Sequence, residues 1–147
     1  MARSAPRPEL ADARRQGMHN IGEAADLTGV SAKMIRHYES IGLVPPAGRT
    51  FAGYRIYTDK DLHRIRFIKR ARTLGFSMKQ IGELLALWDD RRRASASVKK
   101  LALAHAEVLS AKIREMEAMQ RTLVQLAQRC HGNARPDCPI LDDLASP

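Results

Sequence analysis

Cys130 and Cys138 are the only two thiols of the 147-residue sequence, with seven residues between them. The segment Cys130-His131-Gly132-Asn133-Ala134-Arg135-Pro136-Asp137-Cys138 reads as a loop, because Gly and Pro break regular structure. Two thiolates on a flexible loop suit a soft ion of low coordination number. Cu(I) is such an ion, and cysteine sulfur selects for it. Ag(I) and Au(I) pass the same chemical test. A structural zinc site wants four ligands, so these two thiols do not make one by themselves. A disulfide serving an oxidant sensor, or a pair of inert thiols, are the other readings of the pair. His131 reads as a solvated loop residue, and two-coordinate Cu(I) does not need it.

The second chemical signal is basic charge. The formal net charge is +9 and the isoelectric point about 10.2. Such an excess points to a polyanion: DNA, RNA or an acidic membrane face. A membrane-surface role needs bulky apolar residues free to insert, and the apolar faces here are committed elsewhere. No run approaches a transmembrane length. Residues 1–17 carry Arg3, Arg7, Arg14 and Arg15 and lack the apolar stretch of an export signal. A cytoplasmic location with reduced thiols is the expectation. No nucleophile–base pair, phosphate-binding Gly loop or paired carboxylate motif points to an enzyme.

The elements that position these groups are mainly helical. Ile21, Ala24, Ala25 and Leu27 fall on one face of a short helix. Thr28-Gly29-Val30 is a turn, and Ser31 caps a second helix with Met34, Ile35 and Tyr38 inward. This is a helix-turn-helix pattern, with Lys33 and Arg36 pointing outward. Pro45-Pro46 and Gly48 stop helix formation. The run from Phe51 to Tyr57 reads as a small hairpin, or wing, carrying Arg49 and Arg55. Thr58 caps a third helix with Leu62, Ile65, Phe67, Ile68 and Ala71 on its core side. Arg64, Arg66, Lys69, Arg70 and Arg72 give that helix a basic surface. Ser77 caps a fourth helix with Ile81, Leu84, Leu85 and Trp88 inward.

A long helix is expected over residues 95–129. Val98, Ala102, His105, Leu109, Ile113, Met116, Met119, Leu123 and Leu126 recur in steps of three or four, and His105 reads as a packing residue. The helix is roughly 50 Å long, and its narrow apolar stripe needs a helix from a second chain, hence a homodimer. Ile140, Leu141 and Leu144 predict a closing helical turn. The expected organisation is a disordered basic tail over 1–17, with Met18 as an alternative start. A DNA-binding head follows over 18–90, then a dimerisation helix over 91–129 and a metal-binding loop with its turn over 130–147.

With these residues placed, the chain resembles the MerR family of transcription regulators over residues 18–144, closest to its copper-responsive (CueR-type) branch. The motifs that carry the resemblance are Ile21-Gly22-Glu23-Ala24-Ala25, Thr28-Gly29-Val30-Ser31-Ala32-Lys33-Met34-Ile35-Arg36-His37-Tyr38-Glu39, Gly42-Leu43-Val44, Gly53-Tyr54-Arg55-Ile56-Tyr57, Arg70-Ala71-Arg72-Thr73-Leu74-Gly75-Phe76-Ser77 and Ile81-Gly82-Glu83-Leu84-Leu85. His37 stands where an aromatic ring is usual. The resemblance implies a winged helix-turn-helix head, an antiparallel dimerisation helix and an effector loop at its end. It implies promoters whose spacer is too long for RNA polymerase, realigned when the effector-bound dimer distorts the DNA. Arg36, Tyr38, Arg49, Tyr54, Arg55 and Tyr57 become candidate DNA contacts by resemblance, with Lys33 added by its place on the recognition helix. Tyr38 is equally readable as a core residue.

Cys130 and Cys138 match the two cysteines that hold the ion linearly in the copper-responsive branch. Members that sense divalent ions carry a cysteine where this chain has Ser95, and in a dimer that position approaches the loop of the partner. Lacking that third thiolate, the site is expected to favour a monovalent ion and to control copper-efflux or copper-oxidase genes. An oxidant sensor or a divalent-metal sensor of the same family is the alternative.

Overall fold

The computed structural model describes residues 6–134 and 136–147, and it divides into two units, Met1–Arg93 and Ala94–Pro147. The first unit is built on helix ends closed by local side chains. The Asn20 side chain accepts the Glu23 N–H at 2.8 Å and starts α2 (Ile21–Thr28). Gly29 ends it at φ 70°, a left-handed conformation that glycine adopts without a Cβ penalty. Ser31 Oγ accepts the Met34 N–H and starts α3 (Ala32–Ser40). Thr58 with Asp61, and Ser77 with Gln80, form reciprocal capping boxes that start α4 (Asp59–Thr73) and α5 (Met78–Asp89).

The apolar faces so created meet in one core. Ala24, Ile35, Tyr38, Val44, Tyr57, Leu62, Ile65, Ile68, Ile81 and Leu85 are all buried. Each large aliphatic side chain contributes roughly 1.5–3 kcal/mol by leaving water. Trp88 was expected inward. It is instead 43 % exposed and stacks flat on Phe67, with ring centroids 4.9 Å apart. Phe67 is itself only half-buried, so this pair closes the surface of the core rather than filling its centre.

The wing is a three-stranded sheet. Strands β2 (Gly48–Arg49) and β3 (Arg55–Tyr57) pair antiparallel, with Arg49 opposite Arg55, as the hairpin pattern predicts. A further strand, β1 (His19–Asn20), pairs with the other edge of β3, with His19 opposite Tyr57. Two polar residues show no alternation, so nothing in the local sequence announces β1.

The segment expected to be a disordered tail is not one over its described residues. Helix α1 (Leu10–Arg15) buries Ala13 completely. The Met18 N–H donates to the Ala13 carbonyl, and Phe51 in the wing turn donates its N–H to the Pro8 carbonyl at 2.9 Å. The composition is polar because a single small side chain makes the buried contact and the backbone supplies the rest.

In the second unit, α6 (Ser95–Arg129) spans 35 residues, with the bounds the apolar spacing predicts. Leu109, Ile113, Met116, Met119 and Leu123 lie exposed along it. After the loop comes α7 (Pro139–Leu144), with proline in its first turn where no N–H is needed. It packs against α6, whose Leu126 is buried. His105 is buried, as expected of a packing residue. Among the described residues, no helix is long and apolar enough to cross a membrane.

Candidate nucleic-acid interface and metal centre

The helix-turn-helix presents α3 with one apolar and one polar side. Ile35 and Tyr38 enter the core, and this fixes Lys33 and Arg36 on the exposed side. In the wing, Arg49 and Tyr54 are exposed and Arg55 is half-buried. The turn between them is held by Thr50, which is buried. Its N–H donates to the Tyr54 carbonyl at 2.8 Å, and its Oγ1 accepts the Tyr54 N–H at 3.1 Å. Arg49 donates to the Gly53 carbonyl at 2.9 Å across the same turn.

Of the candidate DNA contacts, Tyr38 and Tyr57 are core groups, 2 % and 0 % exposed: for Tyr38 this is the core alternative, and for Tyr57 a correction, because a ring with no exposed surface offers none to DNA. The Tyr38 hydroxyl accepts from Arg72 on α4 at 2.9 Å. The Tyr57 hydroxyl donates to Glu39 at 3.4 Å. Their aromatic bodies pay off in packing, and their polar tips lock helix and wing in place.

Sequence reasoning missed Glu39. Its carboxylate accepts the Ala47 N–H at 3.3 Å and the Tyr57 hydroxyl, and lies 3.4 Å from Arg55 Nε. One side chain of α3 therefore ties down both the chain entering the wing and its central strand. The available signal was a lone carboxylate in the recognition helix, which needs cationic or hydroxyl partners to sit there. The basic face of α4 is likewise partly internal. Arg64 donates to the Leu43 carbonyl and to both Asp89 oxygens, and Arg66 to the Leu27 carbonyl.

Burial, then the negative charge of Glu39, push the Tyr57 hydroxyl up to about 12 from its ordinary value of 10.0. Below pH 10 this phenol is neutral in both folded and unfolded chains. Above it the unfolded chain ionises first, so stability falls as the pH rises towards 12. The expected cost of this group at pH 11 is about 1 kcal/mol. Tyr57→Phe removes it. Urea melts at pH 9 and pH 11 check this: the native chain loses about 1 kcal/mol more than the variant between the two, and equal losses contradict it.

Cys130 stands at the C-cap of α6 and Cys138 at the N-cap of α7, so the loop joining two helices begins and ends on a thiol. Both are free and half-buried. His131 is exposed. Among the described residues, no group of three or more His, Cys, Asp or Glu side chains gathers to hold a metal ion. A donor set limited to two sulfurs fits a soft, low-coordinate ion and does not fit four-ligand zinc. Ser95 is the first residue of α6 and is exposed.

Two family models match the chain: "MerR HTH family regulatory protein" over residues 19–87 and "MerR, DNA binding" over residues 62–126. A protein of Rhizobium meliloti named heavy metal-dependent transcription regulator 2 is 58 % identical over 127 residues, 86 % of each chain. The transcriptional regulator CueR of Salmonella typhimurium is 42 % identical over 126 residues, 86 % of this chain and 91 % of that one. Among solved structures, the transcription regulator PbrR691 of Ralstonia metallidurans, in complex with lead(II), superposes with a TM-score of 0.74 at 31 % identity. That match covers 86 % of this chain and 99 % of the other. With the helix-turn-helix, the wing and the long helix in their family places, this chain belongs to the MerR family of DNA-binding helix-turn-helix transcription regulators.

Proposed function

We propose that the protein is a metal-responsive transcription regulator, binding promoter DNA as a homodimer and activated by Cu(I) held between Cys130 and Cys138. The observation that carries the metal half is the placing of the two thiols, one at each end of the α6–α7 loop, with no third donor gathered there among the described residues. The relationship to a heavy-metal-dependent regulator and to CueR supports it.

Lys33 and Arg36 on α3, with Arg49, Tyr54 and Arg55 on the wing, are the proposed DNA contacts. Guanidinium and ammonium groups neutralise phosphates, and a helix in the major groove reads base edges. Tyr38, Tyr57 and Glu39 act behind them as positioning residues. The exposed stripe of α6 is the proposed dimer surface. Two identical heads then read two half-sites related by a dyad, at a promoter served by RNA polymerase.

When bound, a monovalent soft ion supplies a cross-link between the two thiolates. Cys130 and Cys138 would then be joined through it, restraining the two ends of the loop between α6 and α7. The output is a change of DNA shape rather than of DNA affinity, a switch between two states of one complex.

Anaerobic titration of the reduced protein against a competing chelator, with transcription measured alongside, tests the reading. One Cu(I) bound per loop, with Cu(I) activating and Zn(II) silent, is expected. Activation by an oxidant without metal, or by Zn(II), overturns it. Ser95 is the proposed selectivity position. Ser95→Cys adds a thiolate at the start of α6 and is expected to make transcription respond to Zn(II) while keeping the Cu(I) response. A variant still silent to Zn(II) removes that role from Ser95.

A further inference from the structure

The match to the helix-turn-helix family model begins at residue 19, yet an ordered element precedes it and docks on the head. Pro8 accepts the Phe51 N–H at 2.9 Å, Arg14 pairs with Glu23 of α2 at 2.6 Å, and Ala13 is completely buried, while the Met18 N–H closes the end of α1 on the Ala13 carbonyl. Phe51 belongs to the turn of the wing and is 79 % exposed. The Pro8 bond therefore holds the start of this element against the projecting end of the wing, not against the far side of the head.

The charges of the element are differently used. Arg14 is answered by Glu23 and Arg15 by Asp12. Arg7 precedes Pro8, is exposed, and among the described residues enters no ion pair or hydrogen bond. At the turn itself Arg49 spends one N–H on the Gly53 carbonyl. The Pro8 hydrogen bond places the backbone next to Arg7 beside the turn of the wing, and the exposed guanidinium is left unpaired among the described residues and able to reach a phosphate.

We infer that residues 6–15 form a second DNA-contacting element beside the wing, in which Arg7 meets a phosphate flanking each half-site. This rests on the DNA-binding reading of the wing given above. The contact is continuous with that surface, and the Arg7 guanidinium is complementary to a phosphate, with Glu9 the exposed carboxylate beside it. It adds affinity without sequence preference, because a phosphate carries no base identity.

The test uses the full chain and a duplex that the protein itself selects from a random pool. Dissociation constants are measured at about 50 and 200 mM salt. Each phosphate contact multiplies the loss of affinity over that range by about 3.5-fold. Two Arg7 contacts in a dimer thus account for about 12-fold of it. Arg7→Ala is expected to shrink the salt effect by that factor and to leave the ranking of selected sequences and the melting temperature unchanged. Arg7→Lys is expected to restore the salt effect. An Arg7→Ala protein with the native salt effect overturns the inference and leaves the DNA-binding reading standing. A full chain that selects no duplex overturns both.

Discussion

A Cys130→Ser/Cys138→Ser protein is expected to hold its promoter as tightly as the native chain and to be deaf to copper. The thiols lie at the C-cap of α6 and the N-cap of α7, outside the core of the DNA-binding unit, so their loss leaves α3 and the wing intact. Serine keeps the size of the side chain and removes the soft donor. Hydroxyl oxygen is a poor ligand for a monovalent ion that prefers sulfur. Removing even an outer-shell partner of a metal site costs 10- to 100-fold in affinity. Removing both direct ligands is therefore expected to weaken Cu(I) binding by more than about 100-fold. Chelator competition and run-off transcription with and without Cu(I) read the two halves separately. Copper-dependent transcription from the double variant sinks the site. Loss of promoter binding instead means that the thiols support the fold, which their half-buried positions do not require.

The features readable from the sequence are those whose cause is local. Ser31, Thr58 and Ser77 announce helix starts because a hydroxyl three residues before an N–H bonds to it within the same turn. The bounds of α6 follow from apolar residues in steps of three and four, broken at Cys130 by the approach to Gly132. The wing follows from Gly53 between aromatic and β-branched residues. What stayed hidden depends on distant parts of the chain. The pair His19–Asn20 becomes a strand only because β3 lies beside it. Helix α1 forms because Ala13 and the Pro8 carbonyl find places on a surface made by the wing and β1. Tyr38 and Tyr57 could be read either way, since an aromatic ring with a polar tip serves both core and interface. Only the packed structure sends both inward, with Arg72 and Glu39 receiving the tips. The proposed metal loop rests on chemistry legible in the sequence, donor type and number. The paired thiols needed no long-range information to be recognised as soft donors.

Placing a carboxylate on the α6 stripe, Ile113→Glu, is expected to dissociate the dimer and with it promoter binding. Leu109, Ile113, Met116, Met119 and Leu123 are 36–66 % exposed, a run of large apolar side chains along one helix. Water-exposed apolar surface of this continuity marks an interface. Ile113 sits in the middle of it. In a two-fold arrangement the substitution introduces a charge from each protomer into the same covered strip. A buried charge without a partner costs about 3–5 kcal/mol, which weakens association on the order of a thousandfold. Sedimentation equilibrium gives the association constant directly, and circular dichroism confirms that α6 stays helical. Arg114→Glu, whose neighbours one turn away are Ser110, Ala111, Glu117 and Ala118 rather than stripe residues, changes charge on the opposite face and is expected to leave the dimer intact. A monomer presents one head to one half-site and loses the gain from tethering two. Promoter affinity therefore falls with the dimer while the isolated head keeps its fold. If Ile113→Glu remains dimeric with native promoter affinity, the stripe is not the surface on which the two chains meet, and the dyad reading of the promoter loses its structural basis.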